Sequence, residues 1–404
     1  MDKHLIVSYT FPPMRGVGGR RWAKLSNALC ESGQEVHVFC AKPELGETSL
    51  WNVHYSLIVN RFPKKYPQII NRVPTHLFDK IHYRLSLFIL KLITKGNYYD
   101  RGVFWEKHFE YIYAYMQKNS IRNLIVTGGP FSLLYYAAKL KVLHPEIKYL
   151  ADIRDEWGAN EFYGFGLLRE NRKIEECKRL KFTLQHADRV LVPYPYMKEK
   201  YTQKVPDSAN KIKILPHGVD AVFFRDKKIA QKHDTINLVN FGSIHSGQEE
   251  AMTVLASVLA KIPVHIQFYT HEKKYEYIFT SANTIPYQIT YHNPVEEKKV
   301  AEILSESDAA LLFIPNHFKD SISTKFMEII ATRTPIVAIG KEGEASEFII
   351  KNKLGVFISY SDIHFRILNL KAELNSLNYN DSFDTSPYHF SNQAKQVLNI
   401  LQEI

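Results

Sequence analysis

The apolar positions of this chain follow two rhythms, and their alternation points to the fold. Leu5-Ile6-Val7-Ser8-Tyr9 is a short apolar run, broken by Phe11-Pro12-Pro13 and followed by Gly16, Gly18 and Gly19. Over residues 20–32 the period lengthens: Trp22, Leu25, Ala28 and Leu29 recur at the spacing of one helical face. Gly33 stands where a helix ends in a left-handed residue, and residues 35–40 form the next strand. Two strands joined by a helix of that length must run parallel, because the crossover returns the chain to the starting edge.

The same alternation returns further along. Residues 124–126 are a strand ending in Thr127-Gly128-Gly129-Pro130, with a helix over 133–143 and further strands at 149–153 and 189–192. A second series has strands at 236–242, 264–269, 309–313 and 336–339, with helices between them. A lysine-rich polar stretch over 226–235 separates the two series, and no short repeat or low-complexity tract is visible. The expected fold is α/β, with two doubly wound Rossmann-like domains and a cleft between their parallel sheets. Expected boundaries are 1–217 for the first domain, 218–234 for a linker, 235–383 for the second domain, and 384–404 for a helix crossing back to the first. In open parallel sheets, ligands bind beyond the carboxyl ends of the strands. In the first domain that singles out residues 16–21, residues 127–132 and Arg154-Asp155-Glu156-Trp157.

Composition narrows the function. A length of 404 residues suits two domains, and 45% hydrophobic with 23% charged residues is ordinary for folded chains. The net charge of +10 implies an anionic partner: nucleic acid, an anionic bilayer or a diphosphate substrate. No aromatic-interleaved RNA motif, Cys/His finger or basic recognition helix appears, so nucleic acid is not expected. Cys30, Cys40 and Cys177 are odd in number and lack metal-ligand spacing, as in a reduced cytoplasmic protein. The start of the chain has no secretory pattern, and no run reaches about 18 uncharged apolar residues. No Asp-x-Asp or His/Cys cluster appears where a diphosphate would sit, so neither metal nor other cofactor is expected.

Several segments, in this order and spacing, resemble one family. Phe11-Pro12-Pro13 with Gly16-Val17-Gly18-Gly19-Arg20-Arg21, then Asp152-Ile153-Arg154-Asp155-Glu156-Trp157, Ala187-Asp188-Arg189-Val190, Leu215-Pro216-His217-Gly218 and residues 321–340 resemble bacterial family-4 glycosyltransferases. The resemblance is diffuse and spans nearly the whole chain. It implies a GT-B architecture, a nucleotide-sugar donor of the UDP or GDP type, retention of configuration and no metal. The implied acceptor is a glycan or lipid-linked molecule in cell-surface polysaccharide synthesis.

The block over 321–340 carries the most chemistry. Ser323 or Thr324 can cap the helix that follows, leaving its first amides free to meet anionic oxygens. Lys325 adds a full positive charge at that end, and Glu328 lies on the same face one turn on. The resemblance implies that Glu328 grips the donor ribose and that Asp320 lies near the donor sugar; Asp320 stands where the family more often has Glu. The alternative is a surface Lys325–Glu328 ion pair with Asp320 a loop charge. The family's Arg and Lys after the first strand of the second domain are absent, replaced by Gly242-Ser243-Ile244-His245-Ser246-Gly247-Gln248. Charge for the diphosphate is then expected from Lys325 with Arg20 or Arg21, and Gly242, Ser243 and His245 join the candidate donor site. Gly18 and Gly19 either let backbone amides approach a phosphate or make a tight turn. Arg154 and Asp155 either contact phosphate and orient the acceptor hydroxyl, or form a structural ion-pair cluster.

Residues 61–119 raise a separate question. Lys64, Lys65, Arg72, Lys80, Arg84, Lys91 and Lys95 interleave with Leu77, Phe78, Ile81, Leu85, Phe88, Ile89, Leu92 and Ile93. That basic amphipathic pattern suits an anionic bilayer surface, as a peripheral protein on the inner face, or a helix packed against its own domain. The rival functions are a nucleotide-sugar epimerase on the same fold and a catalytically inactive glycosyltransferase-like partner.

Overall fold

The computed structural model describes residues 2–14, 17–48, 51–71, 73–158, 165–225, 234–244, 247–271, 273, 275–280 and 287–404. Gly16, Arg72, His245, Ser246 and residues 226–233 of the polar stretch lie outside the described residues. The chain forms two compact units, Met1–Pro216 with Phe390–Ile404, and His217–His389.

The first unit holds strands β1 (Lys3–Val7), β2 (Glu35–Ala41), β3 (Ile58–Phe62), β4 (Asn123–Thr127), β5 (Lys148–Asp152), β6 (Arg189–Val192) and β7 (Ile212–Ile214). They pair in parallel in the order β3-β2-β1-β4-β5-β6-β7. The order reverses between β1 and β4, the switch point at which such sheets open a crevice. The central strands read as unbroken apolar runs because helices cover both faces; Leu5, Ile6, Val7, Leu124, Ile125 and Val126 are all fully buried.

The helix Val17–Glu31 ends where Gln34 N–H donates back to the Leu29 carbonyl at 3.1 Å, with Gly33 at φ +82°. Its apolar face, Trp22, Leu25, Ala28 and Leu29, packs in one cluster with Ala394, Val397, Ile400 and Leu401 of the last helix, Phe390–Gln402. The chain end therefore completes the core of the first unit.

The helix Leu77–Ile93 forms as the amphipathic pattern suggests, but of its residues only Leu90 is buried. Its apolar stripe is not packed against the unit: Phe78 is 84% exposed and Leu92 64%. Among the described residues no helix is long and apolar enough to cross a membrane.

The second unit holds β8 (Ile236–Phe241), β9 (Val264–Tyr269), β10 (Gln288–His292), β11 (Ala309–Ile314), β12 (Ile336–Gly340) and β13 (Gly355–Ser359). These too are parallel, in the order β10-β9-β8-β11-β12-β13. Here the switch falls between β8 and β11. The segments leaving their carboxyl ends are the Gly242 turn and the stretch that leads to Ser323.

Candidate functional site

In the first unit the carboxyl ends of β1, β4 and β5 meet around a buried carboxylate. Asp152 ends β5 with no solvent exposure and accepts from Trp22 Nε1 at 2.6 Å, Thr127 Oγ1 at 2.9 Å and Arg21 Nη2 at 3.2 Å. Arg21 also donates to the carbonyls of Leu215 and Pro216, at 2.9 and 2.7 Å. Arg21, expected as one source of charge for the diphosphate, has both Nη1 and Nη2 engaged within the first unit. A buried carboxylate needs its counter-charge nearby, and this guanidinium is turned into the unit to supply it. Arg20 is also buried and engaged.

Arg154 Nε pairs with Asp155 at 3.2 Å. It also donates to the carbonyls of Gly18 and, at 3.4 Å, Gly129. A Cβ on Gly18 would lie 2.7 Å from Arg154 Nη2, and one on Gly19 would lie 3.0 Å from the Thr10 carbonyl. At Gly19 the neighbour is backbone, which gives little, whereas at Gly18 it is the movable end of the Arg154 side chain. The glycine loop has a packing reason of its own.

Behind these loops lies a second buried acidic network that no local pattern announces. Asp100 accepts from the amides of Gly102 and Ser132, each at 2.8 Å, and from Ser132 Oγ at 2.6 Å. Glu176 accepts from Asn97 Nδ2 and Trp157 Nε1, each at 3.1 Å, and from Arg172 at 2.5 Å. Burial pushes both carboxyls above their ordinary range. Both line a small cavity with Asn97, Tyr99, Phe131 and Trp157.

The second unit gathers most of the residues expected to bind the donor. Gly242 leaves β8 at φ +84°, and Lys325 lies against it, donating to the Ser243 carbonyl at 3.1 Å. The positive φ favours glycine here, and a Cβ on Gly242 would stand 2.5 Å from Lys325 Cε and displace the lysine. Of the two capping candidates Ser323 is the one used: its hydroxyl accepts from Phe326 N–H at 3.3 Å at the head of the helix Thr324–Ala331. Phe326, Met327, Ile329 and Ile330 are buried, which leaves Thr324, Lys325 and Glu328 on the half-buried side.

Protein packed around its amine pushes the Lys325 pKa down to about 8, and Glu328 only partly opposes this. The nearby Glu328 carboxylate favours the charged amine, as an ion-pair partner does, but burial outweighs it.

Asp320 lies three residues before Ser323, the cap of the helix Thr324–Ala331. Its Oδ1 accepts from the Glu344 amide at 3.3 Å, and a Cβ on Gly343 would come within 2.6 Å of it. It thereby stabilises the start of the helix Glu344–Lys351, where a negative charge meets the helix dipole favourably. In the turn after β8, Gly247 N–H donates to Glu249 at 2.5 Å and Gln248 Nε2 to the Phe313 carbonyl at 3.3 Å.

A feature the sequence reading missed stands at the carboxyl ends of β8, β9 and β10. Phe241, Tyr269 and His292 are in register and stack as a ladder, with ring centroids 4.7 and 4.6 Å apart. Equal register in parallel strands creates it, and that cannot be read before the strand order is known. Among the described residues no group of three or more His, Cys, Asp or Glu is placed to hold a metal.

No protein-family model and no curated protein sequence matches this chain. Solved structures do. Sucrose-phosphate synthase from Thermosynechococcus elongatus superposes with a TM-score of 0.65 at 12% identity, over 100% of this chain and 99% of that one. An α,α-trehalose-phosphate synthase (UDP-forming) from Burkholderia vietnamiensis gives 0.60 at 10% identity, over 100% and 99%. The chain has the GT-B fold. A Listeria monocytogenes protein described as a UDP-N-acetylglucosamine 2-epimerase gives 0.56 at 12%, over 99% and 96%. The fold thus accommodates more than one chemistry, and the reaction must be argued from the residues.

Proposed function

We propose that this protein is a glycosyltransferase that moves a sugar from a UDP- or GDP-type donor to a glycan or lipid-linked acceptor in cell-surface polysaccharide synthesis. The observation that carries the reading is the Gly242–Ser243–Lys325 contact at the switch point of the second sheet, beside the Ser323-capped helix. First-turn helix amides have no intrahelical acceptor, and an amine held against a glycine turn adds a full charge to them. A diphosphate suits that arrangement. In this reading Glu328, one turn on, accepts from both ribose hydroxyls, and the rings of Phe241, Tyr269 and His292 are aromatic candidates for stacking on the base.

In this reading the acceptor hydroxyl forms its bond to the sugar on the face from which the diphosphate departs. The sugar–phosphate bond breaks and a phosphate oxygen takes the hydroxyl proton, so configuration is retained without a covalent carboxylate. Catalysis is then positioning plus stabilisation of the leaving charge by Lys325 and the helix amides, with no metal. The first unit takes the acceptor, with Asp155 and Arg154 nearest the carboxyl ends of its strands. The unpaired Cys30, Cys40 and Cys177 agree with a cytoplasmic site of action.

The test is incubation with labelled nucleotide sugars, with and without glycan and lipid-linked acceptors. Acceptor-dependent transfer supports the proposal. Interconversion of the sugar without acceptor would make the protein an epimerase, and binding without either reaction would make it an inactive partner.

A further inference from the structure

The helix Leu77–Ile93 is joined to the first unit by a narrow face. Leu90 is 1% exposed and Thr94, just past the end, 8%; Thr94 Oγ1 closes back on the Leu90 carbonyl at 2.7 Å. The adjoining face is apolar and open. Phe78, Ile81, Leu85, Phe88, Ile89 and Leu92 follow one another at helical spacing and are 46–84% exposed. So long an unbroken apolar stripe differs from the scattered exposed residues of ordinary surfaces and marks a contact.

The charges beside the stripe say what the contact is with. At 100° per residue, Lys80, Arg84 and Lys91 fall in one row along a single edge of it, and all three are exposed. The one acid of the helix, Asp79, lies at the border on the other side and is half-buried. We propose that this helix lies in the plane of an anionic bilayer surface, its apolar stripe in the acyl boundary and its row of Lys80, Arg84 and Lys91 on the headgroups. Such a helix combines apolar burial with attraction to anionic lipid. A second copy of the chain is a poorer occupant, because it brings the same positive row and no negative one to meet it. The docking is independent of the glycosyl-transfer reading and is measured without any donor.

The experiment is co-sedimentation of the full chain with vesicles of phosphatidylglycerol and phosphatidylcholine in equal parts, against vesicles of phosphatidylcholine alone. The protein is expected to bind the anionic vesicles and to weaken as salt is raised, since exposed charges are screened. Replacing the row (Lys80→Gln, Arg84→Gln, Lys91→Gln) should weaken that binding on the order of a hundredfold. Leu85→Glu with Phe88→Glu should abolish it on both kinds of vesicle. These side chains are exposed, so each variant is expected to melt like the wild type, and a melt identifies any that does not. Equal recovery with neutral and anionic vesicles overturns the proposal. So does wild-type binding by the Leu85→Glu, Phe88→Glu variant, or a stripe-dependent dimer in sedimentation velocity with no vesicle binding.

Discussion

Two buried charges show how differently single residues were legible. Lys325 and Glu328 could be read from local spacing, because both sit on one short helix behind a capping serine. Asp152 could not, because its partners Thr127, Trp22 and Arg21 lie 25, 130 and 131 residues away. Asp152→Ala leaves those donors unpaired and a guanidinium buried without its counter-charge. It is expected to destabilise the protein by about 3–5 kcal/mol, read as a lower denaturant midpoint. Lys325 acts in the opposite sense. Its folded pKa of about 8 lies below the ordinary lysine value of 10.5, so between those values the unfolded chain binds more protons and stability rises with pH. Below pH 8 the charged amine is a net cost to the fold. Lys325→Met should therefore melt higher than the wild type near pH 7, with the difference shrinking toward pH 10, while losing affinity for a nucleoside diphosphate. A lower melting temperature at pH 7 would mean the amine is a structural partner after all.

At the scale of elements, the inner strands were visible as apolar runs, or in β9 as an alternating one: β1, β2, β4, β5, β6, β8, β9, β11 and β12 all fall where the sequence put them, within a residue or two. The strands that escaped are β3, β7, β10 and β13, all at or near the edges of their sheets. In β3 one face is open and the apolar run breaks up, Ile58-Val59-Asn60-Arg61-Phe62, with Ile58 43% exposed; β13 is short but keeps Val356, Phe357 and Ile358 buried. The glycine loop was found, but not its contact with the Arg154 guanidinium, which comes from 136 residues further along the chain. The role of the last helix is directly testable. Phe390–Gln402 covers the apolar face of Val17–Glu31 with Ala394, Val397, Ile400 and Leu401. Removing residues 390–404 uncovers that face and is expected to lower the melting temperature and increase binding of a hydrophobic dye. A truncated chain with unchanged melting would show that the helix adds nothing to the core.

For the whole molecule the fold is settled and the reaction is proposed, and the two should be tested separately. If side chains and helix amides alone carry the diphosphate charge, a chelator should leave transfer nearly unchanged. A loss restored by manganese or magnesium would displace the phosphate site from Lys325. The most direct test of the central claim, that the helix headed by Ser323 and Lys325 binds the donor nucleotide, is calorimetric titration of UDP and GDP into the wild type and Glu328→Ala. Hydrogen bonds to a charged group contribute on the order of 1.5–3 kcal/mol. The variant should therefore bind the preferred nucleotide roughly 10- to 150-fold more weakly, with its thermal melt unchanged. Wild-type affinity in Glu328→Ala, or no binding of either nucleotide to the wild type, would contradict the account.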